Sequence, residues 1–201
     1  MQLVVKEDFF MRKKRVGKVA VFGTLKIMVC VSLLVAMSIV CGKYLAFGVG
    51  NVMRFSFENL SILISGMLFG PAVGAITGVA ADIIGCFMVG YAINPAITLG
   101  AAVIGAVGGA VYRTLRRRTS AKYGVSVFAG VFCAHLLGSV LIKTVGLSAF
   151  YDMPFLLLLM WRALNYLAVG GVETFAIYYV LKNKSVISTF GKIERKDNEL
   201  R

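Results

Sequence analysis

The chain is short of acid. Nine Asp and Glu stand against 22 Lys and Arg, a net charge of +13, and charged residues fill only 15% of the 201 positions, where soluble domains usually carry about 25%. With 59% apolar residues and a mean hydropathy of +0.83, too little polar surface remains to cover a water-exposed globule, which argues against a soluble enzyme. Histidine occurs once, at His135, and the four cysteines, Cys30, Cys41, Cys86 and Cys133, stand singly inside apolar runs. That spacing offers neither a zinc site nor a redox pair. The sequence also lacks G-x-x-x-x-G-K-[ST], H-E-x-x-H and G-x-S-x-G, the patterns of a phosphate-cradling loop, a zinc hydrolase and a nucleophile elbow. No metal and no cofactor is expected, and uphill work would need power from a partner or an ion gradient.

What the chain has in excess is lipid-compatible length. A helix crosses the ~30 Å hydrocarbon core with roughly 20 residues, and Leu60 to Tyr112 contains a single charge, Asp82, over 53 residues. Gly70-Pro71 and Asn94-Pro95 break this run, because proline lacks an amide donor and restrains the residue before it. The reading is an all-α integral membrane protein with six transmembrane helices, at about 27–45, 55–69, 72–90, 95–112, 124–143 and 155–181. A basic interfacial arm (1–26) precedes the membrane domain (27–181), and a basic tail (182–201) follows it. The arm carries seven basic residues, the loop after the fourth segment five and the tail six, so the positive-inside bias puts both termini in the cytoplasm. An even number of crossings between arm and loop requires the short second segment to cross. Basic residues so distributed follow membrane topology, and nucleic-acid binding is not expected.

Four basic residues fall elsewhere: Lys43, Arg54, Lys143 and Arg162, all towards the outer face on this topology. Charges in or near membrane segments are costly and usually turn inward to a partner or ligand; an external anion would account for all four, and snorkelling to the interface is the plainer alternative. Arg162, Asn165 and Glu173 fall on one stripe of the last segment, and His135, Ser139 and Lys143 recur at steps of four in the fifth. Asp82 adds an acid from the third. Interhelical hydrogen bonding is the competing account, chiefly for His135 and Glu173. Small residues recur as well, at Gly74, Gly78, Ala81 and Gly85, at Ala101, Gly105 and Gly109, and at Ser32 and Ala36, a spacing that lets helix backbones approach closely.

The run Asn51-Val-Met-Arg54-Phe-Ser-Phe-Glu-Asn59-Leu-Ser-Ile, then Gly66-Met-Leu-Phe-Gly70-Pro71, then Gly74, Gly78 and Asp82 resembles the substrate-binding S components of energy-coupling factor (ECF) transporters, in their folate-specific branch. The resemblance covers essentially the whole chain. It implies a multi-pass receptor of the prokaryotic plasma membrane that captures folate from outside. It also implies partners, a transmembrane coupling subunit and two ATPase subunits, so that this chain is not itself an enzyme. The coupling subunit would dock on small residues of the first segment, here Ser32 and Ala36. Folate has carboxylates at one end and a pterin edge at the other, which sorts the candidates. Arg54, Arg162 and Lys143 suit the carboxylates. Asp82, Asn59, Asn165 and His135 suit the pterin edge, and Trp161 or Phe55 its flat face. An S component for riboflavin, pantothenate or a thiamin precursor is an alternative, as is an integral-membrane enzyme acting on a lipid phosphate.

Overall fold

The computed structural model describes residues 25–49, 53–118, 123–151 and 154–183; most of the basic arm and of the basic tail lies outside them. Helix α1 (Leu25–Ile39) continues into a π-helical segment (Val40–Tyr44), and a short hairpin of β1 (Phe47–Val49) and β2 (Met53–Phe55) leads into α2 (Glu58–Phe69). Then come α3 (Pro71–Val89), α4 (Pro95–Arg118), α5 (Tyr123–Ala134) running through a π-helical segment (His135–Ile142) into α6 (Lys143–Tyr151), and α7 (Phe155–Lys182). Among the described residues, five helical stretches are long and apolar enough to cross a membrane, and α2, with 12 residues, is a shorter apolar helix. This is a helical integral membrane architecture.

The breakers sit where the sequence puts them. Pro71 is the first residue of α3, where its missing donor costs nothing, and Gly70 before it takes φ 108°, a conformation that favours glycine. Asn94 starts α4 as an N-cap: its Oδ1 accepts the Ala96 amide at 3.0 Å, satisfying a donor the helix cannot. Three boundaries differ from the sequence reading, the first being that of α4, which runs past 112 to Arg118 and takes the start of the basic loop into the helix. Residues 55–57 are not helical, because Phe55 pairs with Phe47 in the hairpin. The fifth stretch continues past 143 to Tyr151, held by Asn94 Nδ2 donating to the Gly146 carbonyl at 3.4 Å.

The core is built from helical spacing. Ile27, Val31, Val35 and Ile39 of α1 recur every four residues and are buried with Leu63 of α2, Ile104 of α4, Val131 of α5 and Ile177 of α7, whereas Leu33, Phe87, Phe128 and Leu167 point outward as lipid-facing residues do. Glycine sets the spacing of α2, α3 and α4. A Cβ on Gly74 would strike the Gly105 carbonyl, and one on Gly78 the carbonyl of Ala101, so these backbones touch without side chains between them. Gly85, by contrast, faces Ile39 and Lys43 of the first helical stretch.

Depth in the bundle can be read from contacts. The start of α2 meets Lys143 through Glu58, and its end meets Arg113, whose guanidinium donates to the Leu68 carbonyl at 3.3 Å. Helix α2 therefore runs from the level of Lys143 to the level of the basic end of α4, with the hairpin just before its start and β2 against α7.

Candidate ligand-binding site

Two polar groups lie inside this end of the bundle. The first joins the π-helical segment between α5 and α6 to α7. His135, 3% exposed, has Nε2 2.5 Å from Glu173 Oε2 and Nδ1 3.2 Å from Ser139 Oγ. Its ring stacks on Tyr166 with centroids 4.9 Å apart. Arg162 donates from Nε to the Ser139 carbonyl at 3.0 Å and lies over the same Tyr166 ring, 5.5 Å from its centroid. Ser139, whose carbonyl Arg162 uses, lies inside the π-helical segment, a widening of the helix that is rare overall and frequent at functional sites.

The second group joins the first four helical stretches to the start of α6. Lys143, also 3% exposed, donates from Nζ to Glu58 Oε1 at 3.1 Å. Thr98 donates to Asp82 Oδ2 at 2.6 Å. Lys43 lies over the Tyr91 ring at 5.5 Å. Ser38, Lys43, Glu58 and Asp82 line a cavity of about 10 Å³, room for roughly one water. Glycine again makes the space: a Cβ on Gly100 would stand 2.6 Å from Lys143 Cγ, and one on Gly85 3.0 Å from Lys43 Cε. The two groups adjoin at Lys143, which directly follows the π-helical segment carrying His135 and Ser139.

The structure thus brings His135, Lys143, Arg162 and Glu173 into one neighbourhood. The stripe of Arg162, Asn165 and Glu173 faces inward with Val169 and Ile177, as helical phase requires. Asp82 is assigned to the neighbouring group. Asn59 is fully buried, and neither end of its amide has a hydrogen-bond partner among the described residues. Trp161 is 38% exposed, on the outward side of α7, and Phe55 is half-buried beside α2. The Arg54 backbone pairs with Gly48 in the hairpin; its side chain lies outside the description. Reasoning from sequence passed over Glu58, Tyr166 and Thr98. Tyr166 was available to it, since it stands four residues from Arg162 and three from Val169 on the inward face.

On the opposite side of α1, Ser32 and Ala36 are exposed and line an apolar groove of about 520 Å³ between α1 and α3, with Val40, Tyr44, Ile84 and Met88 among its walls. Ser32 donates its hydroxyl to the Met28 carbonyl at 2.9 Å, so it presents no free donor to the groove.

Residues 26–183 match the family described as ECF transporter, substrate-specific component. The chain belongs to this family. An S component is a substrate-binding subunit of a transporter, so the chain is a transport protein rather than an enzyme, and a multi-pass membrane protein as its helices require. Two solved structures resemble this S component. One, described as the crystal structure of FolT bound with folic acid, is 22% identical, covers 78% of this chain and 92% of its own, and superposes with a TM-score of 0.63. The other, an S component of a bacterial ECF transporter, is 13% identical over 87% of this chain and 96% of its own, with a TM-score of 0.48. The first establishes that the S component shares the fold. No curated protein matches it.

Proposed function

We propose that this S component captures folate from outside a prokaryotic plasma membrane and delivers it through an energy-coupling factor module of one transmembrane coupling subunit and two ATPase subunits. The observation that carries the reading is the pair of cations inside the hairpin end of the bundle. Lys143 is 3% exposed and Arg162 half-buried, 19 residues apart on different helices. Cations are retained at such positions for a partner or a ligand, and folate supplies carboxylates. The fold shared with a protein that binds folic acid supports the same choice.

In this reading Arg162 and Lys143, with Arg54 from the hairpin, hold the glutamate carboxylates. Asn59, Asp82, Asn165 and His135 face the polar edge of the pterin, and of the two candidate rings Phe55 covers its flat side, Trp161 being turned outward on α7. Six crossings, counting α2, leave both termini cytoplasmic, and the arm (1–26) and tail (182–201) flank the membrane domain on that side. The groove holding Ser32 and Ala36 receives the coupling subunit.

The test is to purify the chain from its membrane and identify the copurified small molecule by absorbance and mass. Folate, or binding of added folic acid by the stripped protein, is the expected result. Riboflavin, pantothenate or a thiamin precursor in its place would overturn the choice of vitamin.

A further inference from the structure

Lys143 already holds a carboxylate. Glu58 reaches it from 85 positions away in sequence, at 3.1 Å, with the lysine side chain 4% and the glutamate side chain 29% exposed. The glutamate is the first residue of α2, directly after the hairpin, and its place is fixed on two further sides. Its carbonyl accepts Ser38 Oγ–H at 2.7 Å, and its side chain packs on Gly42 of the first π-helical segment, where a Cβ would stand 2.7 Å from Oε2. So a buried ammonium and a partly exposed carboxylate meet at the seam between hairpin, α1 and α6.

We propose that Glu58 is an internal counter-ion that competes with the ligand's carboxylate for Lys143, and that their exchange selects ligands carrying an anion at that end. This rests on the reading of the ligand as a carboxylate-bearing vitamin. A buried ammonium left without an anion is strongly unfavourable, so Lys143 can pass from one carboxylate to another far more readily than it can stand alone. Glu58 is the partner able to leave, because its exposed face lets it turn to water while Lys143 stays enclosed. A ligand without an anionic end gains nothing that offsets the broken pair. The internal carboxylate thus lowers affinity for every ligand that reaches Lys143 and must displace it, and a neutral one does not replace the ion pair it breaks, whereas a pterin too short to reach that end is unaffected.

The test uses the purified full chain in two arms. In the first, the melting temperature of wild type and of Glu58→Ala is followed in sodium chloride and in sodium acetate at equal ionic strength. The variant should melt lower in chloride and recover in acetate, because acetate fills the space of the missing carboxyl group beside Lys143; wild type should respond equally to both salts. Equal response of the variant to the two salts overturns the proposal. In the second arm, folic acid and 6-methylpterin, a pterin without carboxylates, are titrated into wild type and into Glu58→Gln, which keeps the shape of the side chain. Glu58→Gln should bind folic acid about tenfold tighter or more, in line with removal of a competing charge-assisted bond, with pterin affinity unchanged. Weakening of both ligands alike would make Glu58 a scaffold residue and refute the competition. If wild type binds no folic acid, the vitamin assignment fails, and the acetate arm still decides whether Lys143 exchanges carboxylates.

Discussion

Replacing His135 by Leu should cost far more than an interhelical hydrogen bond normally does in a membrane protein. Such bonds average about 0.6 kcal/mol, because segments separated within the membrane find other partners. His135 and Glu173 differ from that average in enclosure: they are 3% and 0% exposed, and the second oxygen of Glu173 has no partner among the described residues. Removing the imidazole therefore leaves a buried carboxyl group with nothing to bond, and breaking a buried pair from one side costs roughly 3–5 kcal/mol. Glu173→Leu should cost less, about 1–3 kcal/mol, since it strands one imidazole nitrogen. The double replacement leaves neither group behind and should be more stable than His135→Leu alone. Unfolding of the purified proteins by denaturant in mixed micelles, followed by circular dichroism, gives the three differences. Strict additivity, or a cost below about 1 kcal/mol for His135→Leu, would show that the pair is not coupled as its geometry implies.

Three further outcomes are expected. Arg162→Ala and Arg54→Ala should each weaken folic acid binding about tenfold or more, as loss of a charge-assisted bond does, and leave 6-methylpterin binding nearly unchanged; equal weakening of both in calorimetric titration would reverse the ligand's orientation. Ala36→Trp, which fills part of the groove between α1 and α3, should abolish transport in vesicles holding the complete transporter while folic acid binding persists, and equal loss of both would remove the docking role. A cysteine at Arg117, in a background without the four native cysteines, should resist an impermeant thiol reagent applied outside intact cells; labelling would refute the six-crossing topology.

The helices were legible because membrane helices announce themselves by apolar length and end at breakers, and Pro71 and Asn94-Pro95 mark true ends. The hairpin was not, since three-residue strands have no periodicity to detect and exist here through their pairing. Nor were the π-helical segments, which need one residue's worth of extra backbone and no particular side chain. Within the site, the inward stripe of α7 followed from the 3.6-residue period. Glu58 escaped notice because an acid in the first turn of a helix is already accounted for by the helix dipole, and nothing local connects it to Lys143, 85 residues on. Asp82 shows the opposite limit: its isolation in an apolar run pointed to a ligand, and its hydrogen bond with Thr98, an uncharged partner on the next helix, could not be chosen from sequence.

Helix lengths in this bundle differ more than one bilayer thickness can satisfy. At 1.5 Å per residue, the 12 residues of α2 reach about 18 Å and the 28 of α7 about 42 Å, on either side of a hydrocarbon core of about 30 Å. The short helix is spared the mismatch because its residues from Ser61 to Met67 are buried without interruption, so its length answers to its protein neighbours. The long one cannot be spared, since Leu156, Leu164, Leu167 and Phe175 all point outward and lipid must match them. Adjustment to a thicker or thinner membrane then falls on the tilt of α7, the helix that carries Arg162 and Glu173, while the glycine-spaced helices α2, α3 and α4 keep their mutual distances. Bilayer composition becomes a variable that acts on one wall of the candidate site and not on the other.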